Sequence, residues 1–332
     1  MELQERINAF SKLGDLIAHD SKQFLGDTLK LSEINNPWFS KQNVLISLDS
    51  IAKMLNKKSL QDWLSNYSVT NCNLKVLLIT AGNIPCVGFH DLLCVLITGN
   101  KVIIKFSSKD NILLPFLIKK LIKIEPSFAN QITISNTIIK EGFDAVIATG
   151  SDSSAKYFNY YFNKSKCIIR KNRRSIAILD GNESKQELEG LAEDVFLYYG
   201  LGCRNVSKIF VPFDYDFDKL FQVFYKYKDV LLNSKYCNNY DYNKAVFLMN
   251  SDSLLENGFI ILKEDNSIQS PIAMLFYQFY NDIAEVNKYI LENEQLFQCV
   301  VAKNKMQFGQ TQFPQLHDYA DNVDTIKFLN KL

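Results

Sequence analysis

The chain has 332 residues, 47% of them hydrophobic and 22% charged, with 37 basic against 36 acidic side chains. That length holds two domains, or one large one, around a real core, and the composition is that of a soluble globular protein. A net charge of +1 gives no long-range field to draw in nucleic acid or an anionic membrane.

No run of 18 uncharged apolar residues exists, so no membrane span is expected. The first residues, Met1 to Asn8, are polar and acidic where a secretory leader would be cationic and then apolar. Seven cysteines (72, 86, 94, 167, 203, 237, 299) are irregularly spaced with no Cys-x-x-Cys, beside three histidines (19, 90, 317). That argues against a disulfide framework and a metal site, and for a reducing cytoplasm.

Residues 1–70 read as mainly amphipathic helix, with Asn36-Pro37-Trp38-Phe39 as a loop. From Leu74 strand and helix signals alternate. Leu74–Thr80 is a short apolar run that ends at Ala81-Gly82-Asn83; 87–98 has helical length; Lys101–Phe106 is a β-branched strand. Residues 111–124 suit a helix, 143–149 a strand and 151–162 a helix. Such alternation predicts βαβ units and a parallel sheet covered on both faces, hence an α/β fold.

A second part begins near Arg174: a strand over 175–180, a helix over 186–199, a strand over 207–212 and a helix at about 215–228. Strands near 243–249 and 258–263, a helix near 281–292 and a strand near 298–302 follow, then an irregular tail from Gln307.

Cys203 is the candidate nucleophile. It lies in Tyr199-Gly200-Leu201-Gly202-Cys203-Arg204-Asn205, a turn between a helix and a strand, where glycines let the backbone approach a bound molecule. A neighbouring helix N-terminus or Arg204 would lower its thiol pKa. The bland reading is a thiol that merely packs. Asn83 ends a strand at the edge where open α/β sheets bind ligands, so its amide could serve a developing oxyanion or, equally, an Asx-turn. Lys105 ends the next strand and reads as a contact for ribose hydroxyls or phosphate, or as a surface lysine. Gly150-Ser151 opens a helix, either as a phosphate seat or as turn and N-cap.

No Gly-x-Gly-x-x-Gly and no P-loop pattern occurs. The basic cluster Arg170-Lys171-Asn172-Arg173-Arg174 reads as a solvated strand end or a phosphate seat. His90 reads as a packed or capping residue. Tyr157, Phe158, Tyr160, Tyr161 and Phe162 read as the packed face of one helix.

In this order the blocks resemble the aldehyde dehydrogenase superfamily, and within it the LuxC-type acyl-CoA reductase family. Ala81-Gly82-Asn83-Ile84-Pro85 resembles the oxyanion-hole block, Gly99 to Ser108 the block whose lysine meets the cofactor ribose, Ala148 to Ser151 the turn beside the nicotinamide, and Tyr199 to Arg204 the nucleophile block. The resemblance implies catalytic Cys203 and Asn83, and cofactor contacts at Lys105, Gly150 and Ser151, with NADPH or NADH as cofactor and no metal.

It also implies N-terminal helices and a Rossmann-like dinucleotide-binding domain over 1–173, an α/β catalytic domain over 174–305, and a tail over 306–332 that returns to the first domain. The substrate implied is an acyl-CoA or another acyl thioester. An acyl-protein ligase is the implied partner, and a homo-oligomer stays open.

Two family glutamates are missing. Arg170 stands where the water-activating glutamate would be, and Ser267 to Pro271 replaces the block with the second. Loss of such a base slows water attack by roughly 10²–10⁴-fold, which suits a thioacyl intermediate that must survive until it is reduced. The alternatives are an acyl-phosphate reductase of the same superfamily and a catalytically silent scaffold subunit.

Overall fold

The structure is a computed structural model that describes residues 1–19, 21–69 and 73–332, with 21 and 22 described by their backbone; Cys72 lies outside the described residues. The chain forms two units, Met1–Asn172 with Gln315–Leu332, and Arg173–Pro314.

The first unit opens with helices α1 (Leu3–His19), α2 (Ser21–Leu25), α3 (Asp27–Asn35), α4 (Lys41–Met54) and α5 (Lys57–Leu64). In α1 the residues Phe10, Leu13 and Ile17 recur at helical spacing and are buried, so one stripe packs while the opposite face stays wet. Strand β1 (Lys75–Ile79) leads to α6 (Phe89–Ile97), then β2 (Lys101–Lys105), α7 (Leu113–Ile124), β3 (Ile132–Ile134), β4 (Ala145–Thr149), α8 (Asp152–Tyr161) and β5 (Lys166–Arg170).

The five strands are parallel, in the order β3-β2-β1-β4-β5. Alternate residues of β1 serve opposite faces. Val76 and Leu78 join the core that includes α1, α6 and α7, whereas Leu77 and Ile79 join Phe158 and Phe162 of the α8 side. Burial on both faces explains why the central strands β1 and β4 are nearly continuous apolar runs.

The second unit contains β6 (Arg174–Ile178), α9 (Lys185–Phe196), β7 (Val206–Pro212), α10 (Phe217–Phe224), α11 (Ser234–Met249), β8 (Leu255–Glu256), β9 (Ile261–Glu264), β10 (Met274–Tyr280), α12 (Ile283–Glu292) and β11 (Phe297–Val301). Its sheet has the order β11-β6-β7-β10-β9-β8, parallel except for the β8–β9 pair. Residues 315–332 return to the first unit, where α13 (Thr325–Asn330) packs against α6. Among the described residues no helix is long and apolar enough to cross a membrane.

Four sequence expectations need correction. The strand expected near 243–249 is the end of α11. Asn233 caps that helix by accepting from the amides of Lys235 and Tyr236, and Tyr236, Tyr240 and Asn243 form its narrow buried stripe. The polar first half hides the helical period. The helix expected over 186–199 stops at Phe196, because Tyr198 and Tyr199 adopt left-handed backbone (φ 53° and 58°).

The aromatic group on α8 divides, with Phe158 and Phe162 buried and Tyr157, Tyr160 and Tyr161 exposed, since an outer sheet-covering helix buries only one side. Arg170 is neither solvated nor placed to seat a phosphate. It is 4% exposed and ion-paired with Asp91 of α6, and it donates to Thr325 Oγ1 at 2.9 Å. Burial disfavours its charge, but Asp91 more than offsets this and raises its pKa.

Candidate active site

In the first unit the strand order reverses at β1. Parallel strands open their carboxyl ends on one edge, and ligands of open α/β sheets bind at such a reversal. Asn83 follows β1, Lys105 ends β2, and Gly150-Ser151 follows β4. Strands β2 and β4 both flank β1, so these four residues share one edge.

The loops there are fastened to one another. Ile79 and Lys105 are in register, the Thr80 amide donates to Lys105 O (3.1 Å), and the Ser107 amide donates to Thr80 Oγ1 (3.2 Å). A Cβ on Gly82 would come within 2.7 Å of Ser107 Oγ and 3.0 Å of the Asp110 amide nitrogen, so the loops approach as only glycine allows.

Asn83 is half-buried, and the residues after it are braced. Pro85 O accepts from Ser47 Oγ (2.8 Å), and the Cys86 amide donates to Asp110 Oδ2 (2.9 Å). Cys86 has φ 57°, a left-handed conformation that is uncommon for a residue with a side chain. Burial pushes the Asp110 carboxyl up to about 6, against the amides of Cys86, Leu114 and Leu113.

At β4 the turn is close-packed too. A Gly150 Cβ would lie 2.7 Å from Ser154 Cβ. Ser151 is the N-cap of α8 and accepts from the Ser154 amide at 3.3 Å. The strand reversal at β1, with Lys105 at the end of β2, is the feature of this edge that suits a dinucleotide.

Cys203 belongs to the second unit. Helix α9 starts on a capping box between Ser184 and Glu187 and ends at Phe196; after Leu197 come three consecutive left-handed residues, Tyr198, Tyr199 and Gly200. The left-handed tyrosines cost about 1–2 kcal/mol each, so the surrounding contacts must hold them. Asn205 does much of this. Its carboxamide nitrogen donates to the carbonyls of Asp194 (3.0 Å) and Leu197 (2.8 Å), and its oxygen accepts from the Gly202 amide (2.8 Å).

Cys203 itself is half-buried on the turn into β7, not sealed in the core. Its carbonyl accepts from Ser175 Oγ at 3.0 Å, and the Cys299 amide donates to that same Oγ at 3.1 Å. The turn follows the carboxyl end of α9 rather than opening a helix, and Arg204 donates to Cys299 Sγ at 3.4 Å. Burial raises the Cys299 thiol pKa, with Arg204 acting against it.

A second support lies beneath α9. Asp194, wholly buried, accepts from the amides of Gly309 (2.8 Å) and Thr311 (3.1 Å) and from Thr311 Oγ1 (2.7 Å). Burial pushes its carboxyl up to about 6 despite these bonds.

The sequence family whose description is acyl-CoA reductase (LuxC) matches residues 27–219, more than half of the chain. The chain belongs to the LuxC acyl-CoA reductase family. A curated relative, long-chain acyl-protein thioester reductase 2 of Photobacterium leiognathi, is 24% identical over 313 residues, covering 82% of this chain; the chain spans 64% of that relative's length.

Among solved structures, the indole-3-acetaldehyde dehydrogenase of P. syringae in complex with NAD+ and IAA superposes with a TM-score of 0.68 at 16% identity, covering 87% of this chain and 69% of that one. An aldehyde dehydrogenase of Bacillus cereus in complex with NAD+ gives 0.67 at 14%, covering 92% and 72%. At these identities the likeness shows the fold, which is that of the aldehyde dehydrogenases: a Rossmann-like α/β domain and a second α/β domain.

Asn205, Ser175, Asp110 and Asp194 were not singled out from the sequence. Asp110 could have been found as an acidic residue just ahead of a helix. Asn205 sits two positions after the cysteine, but nothing local shows that its partners are carbonyls eight and eleven residues back. His90 is packed against the Trp63 and Tyr319 rings, with Nε2 3.0 Å from Leu316 O.

Proposed function

We propose that the chain is an acyl-CoA reductase that converts an acyl thioester and NAD(P)H to an aldehyde, coenzyme A and NAD(P)+. The observation that carries this is Cys203 on a braced, half-buried turn after α9, in a chain matched by the acyl-CoA reductase family through that turn.

The Cys203 thiolate attacks the thioester carbon, an S–C bond forms, and the C–S bond to coenzyme A breaks. Coenzyme A departs with the electron pair of that bond and takes up a proton. The Cys203 N–H holds the negative oxygen while the carbon is tetrahedral. A reduced nicotinamide, when bound, supplies the hydride that brings the thioacyl carbon to the aldehyde level. The resulting thiohemiacetal collapses, regenerating the Cys203 thiolate and releasing aldehyde.

In this reading the first unit binds the nicotinamide cofactor, NADPH or NADH, through Lys105, Gly150 and Ser151, and the second carries the cysteine. A reducing cytoplasm keeps that thiol available. The relative named above acts, by its name, on an acyl-protein thioester. An acyl group handed over by an acyl-protein ligase is a donor of the same class, and a homo-oligomer is compatible with it.

The test is a coupled assay of cofactor oxidation, free thiol and trapped aldehyde with wild type and Cys203→Ala. The variant should bind cofactor yet form no aldehyde. Aldehyde production by Cys203→Ala would overturn the reading, and release of phosphate from an acyl phosphate, with no thiol from acyl-CoA, would move it to the acyl-phosphate reductases.

A further inference from the structure

Both peptide planes that flank Cys203 are held by groups the reaction does not consume. The Gly202 carbonyl accepts from the Asn205 backbone N–H at 3.1 Å, and the Gly202 amide, one peptide plane earlier, donates to the Asn205 side chain at Oδ1 (2.8 Å). An amide is planar, and in the trans form its N–H points opposite to its C=O. Fixing the Gly202 carbonyl on Asn205 therefore aims the Cys203 N–H away from Asn205. On the other side, the Cys203 carbonyl is fixed by Ser175 Oγ at 3.0 Å. Rotation about both backbone bonds of Cys203 is thereby stopped.

The two anchors are themselves rigid. Asn205 is 2% exposed and tied by its carboxamide nitrogen to the end of α9. Ser175 is fully buried on β6, and its Oγ accepts from the Cys299 amide on the paired strand β11. Removing the Ser175 hydroxyl frees the peptide plane after Cys203, and disturbing the Asn205 side chain releases the Gly202 amide and the end of α9 that shape the turn before it; either lets the Cys203 N–H drift from the direction in which it meets a negative oxygen.

We infer that Asn205 and Ser175 are positioning residues for acyl transfer, which orient the Cys203 N–H as an oxyanion donor and with it the Cys203 side chain. This rests on the function proposed above. A misaligned donor is costly because the bond matters only when charge develops on the oxygen, so acylation should slow by roughly ten- to hundredfold. Alkylation of the same thiol by iodoacetamide passes through no tetrahedral oxyanion and should change by less than about threefold.

Single-turnover loading of Cys203 by acetyl-, octanoyl- and myristoyl-CoA is followed by intact mass, beside iodoacetamide labelling, for four proteins: wild type, Asn205→Asp, Ser175→Ala and Ser175→Thr. Asn205→Asp keeps the acceptor for Gly202 but turns an oxygen toward the carbonyls of Asp194 and Leu197. Ser175→Ala deletes the hydroxyl, and Ser175→Thr restores it.

The expected result is slow loading with near-normal alkylation in the first two variants and recovery in Ser175→Thr. If Asn205→Asp does not fold, the Ser175 pair decides alone. Loading at the wild-type rate in the variants, or loading and alkylation falling together, overturns the inference and leaves the proposed function standing. Wild type that takes no acyl group from any of the three overturns the proposed function, and the inference with it.

Discussion

Asp110 ties the loop after Asn83 to the start of α7 through one buried carboxyl. Its folded pKa of about 6 lies above the ordinary 3.8, so the folded chain binds this proton more tightly than the unfolded chain. The stability this contributes is complete below about pH 4 and is lost as the pH rises through about 6. Asp110→Asn removes the titration. Between pH 4 and 6 the unfolding free energy of wild type should therefore fall relative to the variant, by at most about 1.4 kcal/mol per pH unit. Urea unfolding at half-unit pH steps measures this, and parallel profiles would contradict it. The pressures on Cys203 are of the same kind: two tyrosines in left-handed backbone and one buried carboxamide shape the turn that presents a single thiol.

At the scale of elements, β5 is fastened to α6 and α13 by Arg170 with Asp91 and Thr325. Arg170→Glu would set two carboxylates together in a buried place, and loss of the partner of a buried ion pair costs roughly 3–5 kcal/mol. The variant should show a strongly lowered melting temperature rather than faster thioester hydrolysis. A variant of unchanged melting temperature that releases free acid from acyl-CoA faster would show that position 170 faces the chemistry instead.

Elements whose apolar residues form short runs, such as β1 and β4, were legible in the sequence because burial on both faces writes itself into composition, and β2 through its β-branched residues. Helix α11 was not, because it packs only a narrow stripe. Strand β10 passed unread beside the Ser267 to Pro271 segment, and β5 was hidden because a basic cluster looks solvated until its buried partner is known. Asn83, Lys105, Gly150 and Ser151 were legible as strand-end residues, but the bonds that brace the loop after Asn83 come from Ser47 and Asp110, and no local pattern shows that either reaches that loop.

Over the whole molecule, residues 315–332 complete the first unit. Tyr319 OH accepts from Trp63 Nε1 (3.0 Å) and pairs with Tyr67 OH (2.9 Å), while Leu316, Tyr319, Ile326 and Leu329 are buried. Each such side chain contributes about 1.5–3 kcal/mol. Their sum is comparable with the entire stability of a domain, about 5–15 kcal/mol. A chain cut after Pro314 should therefore lose cooperative unfolding of the first unit, seen as loss of amide-exchange protection in β1, β2 and α6; retained protection would contradict this. The chain belongs to the LuxC family and has the aldehyde dehydrogenase fold, and the function proposed above places one acyl-carrying cysteine, Cys203, at the centre of that architecture. The most direct measurement is the intact mass of the protein after mixing with acyl-CoAs in the absence of nicotinamide. The account predicts a gain of one acyl group, mapped to the peptide that contains Cys203 and absent from Cys203→Ala. No gain with any acyl-CoA, or an acyl group mapped to another residue, would contradict it.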